Sequence, residues 1–204
     1  MTAIATFKST IARARSLIAL HASLTAAQKA ALHDANDLLR SSVAFAVAGM
    51  DAFFTDRFSE SLVKFLKKRG ATADLTKVLA EAGLDTKAAL EMLTMQRPYR
   101  RVRTLIEVHL SNYTTQKQNV IDELFLVYGV KDLCKNTQGL AKKKKLLASV
   151  NAAVSRRHSI VHAGDLNSHN KPRPIDDKLA TRYVDNIGMF VEKADVLLVK
   201  ALKI

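Results

Sequence analysis

The sequence predicts an all-α protein. Seven glycines and three prolines are the only strong turn formers in 204 residues, and most of them separate stretches whose apolar residues return every three or four positions. With 48% hydrophobic residues the chain has enough apolar material for a sizeable core. No internal repeat, low-complexity tract or composition break divides it, so a single domain over 1–204 is expected.

The elements follow from caps and stops. Phe7, Ile11, Ala14 and Ile18 give a first helix running to about His21. Thr25 to Gln28 reads as a capping box that opens a long second helix, whose stripe is Val43, Val47, Met50, Phe54, Phe58, Leu62 and Phe65 before Gly70. Shorter helices are expected over Leu75–Ala82 and Asp85–Gln96, then over Tyr99–Asn112 and Thr115–Tyr128, with a short piece ending near Gly139. The region around 71–139 is read as a helical insertion or outer layer. Two long helices close the chain, Leu140 to about His162 and Ile175–Leu202, joined by the loop-like stretch from Gly164 to Pro174.

The net charge of +13 biases encounter toward polyanions, either nucleic acid or an acidic protein. The same lysines also serve simply to solvate a helical surface. Aromatic residues make up 6% of the chain and Trp is absent, so a nucleic-acid grip is expected to be directed mainly at phosphates. Cys134 is the single cysteine, which excludes an intramolecular disulfide and fits a reducing cytoplasm. The uncharged stretch from Ser41 to Met50 is far shorter than the ~20 apolar residues of a bilayer span, so no membrane segment is expected. Before Asp34 the chain has no acid but carries Lys8, Arg13 and Arg15, a composition faintly like a transit peptide; the helical spacing favours an ordinary first helix.

Two charges interrupt apolar stripes. Leu147, Val150, Val154 and Val161 follow the helical period, and the slot between the last two is Arg157; Asp51 lies among Val47, Phe54 and Phe58. Each needs a partner, a wet cleft or an interface. One reading pairs Asp51 with Arg157; the other makes Arg157 the binding group of a pocket for an anion. His158, His162 and Asp165 follow at helical spacing, which suits either a metal site or an acid/base site. Arg156 and Arg157 beside a cation argue against the metal, and no glutamate follows His158 to serve as its base. For phosphodiester chemistry, His162 offers an acid/base group and Arg157 a planar fork for phosphate oxygens. Arg156 beside the motif, the cluster Arg97, Arg100, Arg101 and Arg103, and the run Lys142–Lys145 are candidate contacts to an RNA backbone; the lysine run is the weakest, because four consecutive residues point all round a helix.

The segment Ser-Arg-Arg-His-Ser-Ile-Val-His-Ala-Gly-Asp over 155–165 resembles the motif of HEPN domains, in which a histidine follows an arginine after four to six residues and a polar residue stands directly after the arginine. The second helix, from Leu39 to Phe54, is similar to the apolar helix with a central acid in the RiboL-PSP branch of that family, with Asp51 in the acid's place. The resemblance covers the second helix and the last two, and hardly touches Gly70 to Gly139.

What the resemblance implies is a bundle of about four core helices that pairs into a homodimer with a composite site, and metal-independent endoribonuclease activity with no cofactor. It implies that Arg157 binds the scissile phosphate, that His162 assists attack of the ribose 2′-hydroxyl or protonates the leaving oxygen, that His158 orients one of them, and that Asp51 sets the arginine or histidine in place. Arg156, Arg100, Arg101 and Arg103 are the expected substrate contacts. It further implies a toxin or phage-defence setting with an antitoxin or defence partner. The alternative is a catalytically silent basic helical module that binds RNA or a partner protein.

Overall fold

The chain is all-helical in a computed structural model that describes residues 1–27 and 32–203, with side chains from 35 onward in the second segment. Among the described residues there are nine helices: α1 (Ala3–Ala26), α2 (Leu32–Arg69), α3 (Ala73–Glu81), α4 (Thr86–Met92), α5 (Pro98–Leu110), α6 (Gln118–Leu126), α7 (Leu133–Ala141), α8 (Leu146–Ala163) and α9 (Asp177–Leu202).

The hub is α2. Its stripe Val43, Val47, Met50, Phe54, Phe58 and Leu62 is fully buried, and α1, α8 and α9 pack around it to make a four-helix centre. Burial of each such side chain contributes about 1.5–3 kcal/mol. Gly49 permits the close approach of α1, since a Cβ there would stand 2.9 Å from Thr10 Cγ2. By length and composition, Ala35–Arg69 of α2 is apolar enough to cross a bilayer; here its apolar side is buried inside the bundle.

Buried residues of the 71–139 segment pack into this core. Leu75, Ile106, Ile121, Phe125, Tyr128 and Leu133 join the same hydrophobic cluster as Phe54 and Phe190. Phe58 and Tyr128 stack at 4.4 Å, and the Tyr128 hydroxyl donates to the Phe58 carbonyl at 2.8 Å, so the buried phenol is not left without an acceptor.

Four expected boundaries move, each for a local reason. α1 runs on to Ala26, and Thr25 Oγ1 donates back to the His21 carbonyl at 2.9 Å, so Thr25 lies inside that helix and does not cap the next; Gln28, the other half of the expected capping box, lies outside the described residues. α4 is shorter than expected, capped by Asp85 and ending at Met92. α6 starts at Gln118 because Thr115 and Gln116 are committed to Asp51. The expected helix from Leu140 to His162 is two: Lys142 is left-handed at φ 51°, and α8 begins at Leu146. The lysine run is therefore the turn between α7 and α8, and Lys143 Nζ donates to Asn186 Oδ1 at 2.6 Å.

A candidate phosphate-binding groove

α8 places the motif. Leu146, Val150 and Ala153 face the core, while Val154, Arg157 and His158 turn toward a groove and Val161 is exposed. Gly164 and Asp165, both at φ 59°, end the helix immediately after the motif.

Beyond Gly164 the chain forms an ordered hairpin and not a free loop. Leu166 and Pro172 form an antiparallel bridge, and the Asn167 amide donates to the Lys171 carbonyl at 2.9 Å. Asp165 is fully buried and receives Arg40 Nε at 2.8 Å and Arg156 Nη2 at 2.6 Å. Arg40 Nη2 and Arg156 Nη2 also donate to the Arg173 carbonyl, at 2.8 and 3.2 Å. This cluster ties α2, α8 and the hairpin together.

Two expectations are corrected by it. Arg156 faces the buried carboxylate and the hairpin carbonyls, so its guanidinium is not a second phosphate contact in the groove. Asp165 does not share an edge with His158 and His162, contrary to their helical spacing, so it is not placed as the third ligand that the disfavoured metal alternative would need. Among the described residues no group of three or more His, Cys, Asp or Glu side chains is placed to hold a metal.

The groove has a volume of about 1070 Å³. One wall is α8, with Arg157, His158 and His162; the other is the turn after α5, with Tyr113, Thr114 and Lys117; Asp51 of α2 lines it as well. Arg157 is half-buried and, among the described residues, has no ion pair or hydrogen bond. The rings of His158 and His162 lie one helical turn apart with centroids at 4.5 Å. Arg157 and the two histidines thus border one open groove with Lys117, a local excess of positive charge suited to an anion.

Asp51 does not pair with Arg157, nor does it orient the histidines. Its Oδ1 accepts the Thr115 amide at 2.6 Å and the Thr115 hydroxyl at 2.7 Å, and its Oδ2 accepts Gln116 Nε2 at 2.8 Å. The carboxylate is satisfied by these three donors and anchors the opposite wall of the groove.

Arg100, Arg101 and Arg103 lie outside the groove. They occupy the N-terminal half of α5, whereas the groove begins at Ser111, about 12–16 Å further along that axis. Arg103 Nε is also engaged by Glu107 Oε1 at 2.7 Å.

Sequence reasoning missed Thr115, Gln116, Tyr113, Lys117 and Arg40. The first pair had a signal: a carboxylate in an apolar stripe requires donors, and the run Thr114-Thr115-Gln116 between two helices supplies them. Arg40 had a similar one, standing beside the buried Leu39. No family model, no curated protein and no solved structure matches this chain.

Proposed function

We propose that this groove is the site of a metal-independent endoribonuclease of the HEPN kind. The observation that carries the reading is that Arg157, a half-buried arginine with no protein partner among the described residues, lines the same groove as His162. A guanidinium left open in this way suits a phosphate, which it can engage through two parallel hydrogen bonds.

In this reading Arg157 holds the scissile phosphate and stabilises the charge that develops on it. His162 takes the proton of the ribose 2′-hydroxyl or gives one to the leaving 5′-oxygen, and His158, whose ring lies against it, orients it or carries the complementary proton. Asp51 acts at one remove, by holding the wall across from these groups. A second copy of the chain, pairing groove to groove, supplies a second motif. A cytoplasmic setting, and control by an antitoxin or defence partner, belong to the same proposal.

Attack by the 2′-hydroxyl requires RNA and leaves a cyclic or 3′-phosphate. Incubating the purified protein in EDTA with an RNA oligonucleotide and its DNA counterpart tests the reading: RNA is cut with such ends, and DNA survives. Cleavage that stops in EDTA and returns with zinc refutes it.

The second reading is a silent basic module. It is favoured by a separate recess of about 560 Å³ lined by Lys135, Lys142, Lys143 and Lys144, which offers anion binding with no acid/base group beside it. Retention of RNA without cleavage in any condition supports this second reading.

A further inference from the structure

The groove wall opposite α8 has no task in the cleavage chemistry, yet it is built as firmly as the motif. Thr115 is fully buried and Gln116 nearly so, and both are fixed on the Asp51 carboxylate. The Tyr113 amide donates to the Leu110 carbonyl at 2.9 Å, and the Lys117 carbonyl accepts the Ile121 amide at 3.1 Å. Tyr113 and Lys117 flank this anchored pair, and both line the groove.

Their side chains are the free part of the turn. Tyr113 is 42% exposed, and His109 stands beside its ring with centroids 5.2 Å apart, a contact that limits how the ring can turn. Lys117 is exposed and, among the described residues, has no carboxylate partner. Across the space stands Arg157. An aromatic ring sharing one groove with cations is the arrangement by which proteins grip a single strand: the cations follow the phosphates and a base lies on the ring.

We propose that Tyr113 and Lys117, positioned by Asp51, form a base-and-phosphate subsite through which the groove selects unpaired RNA. The proposal rests on the groove being an RNA site and adds which part of the substrate the second wall reads. In a duplex the bases are already stacked on one another, so Tyr113 has no face to cover and only the phosphate contacts remain. The scarcity of aromatic residues in the composition is thus offset by the position of one of them.

The test measures binding separately from cleavage. In a His162→Ala background, fluorescence anisotropy follows a labelled short oligoribonucleotide, alone and annealed to its complement. Tyr113→Ala is expected to weaken single-strand binding about tenfold and to leave the duplex unchanged, with Tyr113→Phe close to the parent. Lys117→Gln is expected to weaken both and to lower the salt slope by about one. The proposal is overturned if Tyr113→Ala leaves single-strand affinity unchanged, if it lowers both affinities equally, or if neither RNA binds. Failure of the protein with His162 intact to cut RNA refutes the nuclease reading alone, because the binding comparison is decided without cleavage.

Discussion

Arg156 closes on the buried carboxylate of Asp165 at 2.6 Å, while its neighbour Arg157 turns into the groove. Two adjacent arginines on one helix therefore serve opposite ends, one structural and one open to a ligand. The division follows from helix geometry, since consecutive residues point about 100° apart and only one of the two can face the hairpin.

Removing the carboxylate from that cluster leaves two guanidinium groups facing a low-dielectric site. Asp165→Asn is expected to lower unfolding stability by about 3 kcal/mol, read from urea denaturation. A loss under about 1 kcal/mol contradicts the assignment of Arg40 and Arg156 to a structural cluster.

Asp51→Asn replaces one acceptor oxygen with a donor that faces the donors of Thr115 or Gln116. A stability loss of about 1–3 kcal/mol is expected, together with faster amide exchange at Thr115, whose N–H donates to this carboxylate. Unchanged exchange at Thr115 contradicts the anchoring role.

Burial, with Asp122 adding to it through its charge and a hydrogen bond, pushes the Cys134 thiol well above its ordinary range. The thiolate is the reactive form, so the native protein is expected to resist iodoacetamide at neutral pH and to label only after denaturation. Rapid stoichiometric labelling of the folded protein contradicts this packing.

Two carboxyls titrate abnormally high. Burial raises Asp195, with Arg57 opposing and Glu60 adding; burial raises Asp56, with Glu60 and Glu107 adding and Arg103 opposing. The folded state keeps these protons to higher pH than the unfolded chain. Their stabilisation is therefore complete below the unfolded value near 3.8 and is lost as the pH rises through the raised folded values. In urea unfolding across acid pH, Asp195→Asn is expected to remove part of that decline; an identical slope in the variant contradicts it.

The all-helical fold was legible because periodicity survives wherever a helix buries one face: the α2 stripe from Val43 to Phe65 is buried as the spacing requires. Boundaries were less legible, since the Lys142 turn interrupts a sequence with no Gly or Pro at the break, and Lys143 finds its partner, Asn186, far along the chain. At the site, Arg157 was visible as a charge out of place in an apolar stripe, and His162 as an imidazole at motif spacing from it. The partners of Asp51 were not, because Thr115 lies 64 residues away and only the fold brings it near. Arg156 was misread for the same reason: its bond to Asp165 depends on a hairpin whose turn reverses the chain beyond Gly164.

The most direct measurement is the single-turnover rate of RNA cleavage in EDTA for the wild-type chain, Arg157→Ala and His162→Ala, with thermal melts run alongside. Both variants are expected to lose about a hundredfold or more in rate while melting close to wild type, because neither side chain is in the core. Cleavage at the wild-type rate by either folded variant contradicts the assignment of that groove as the catalytic site.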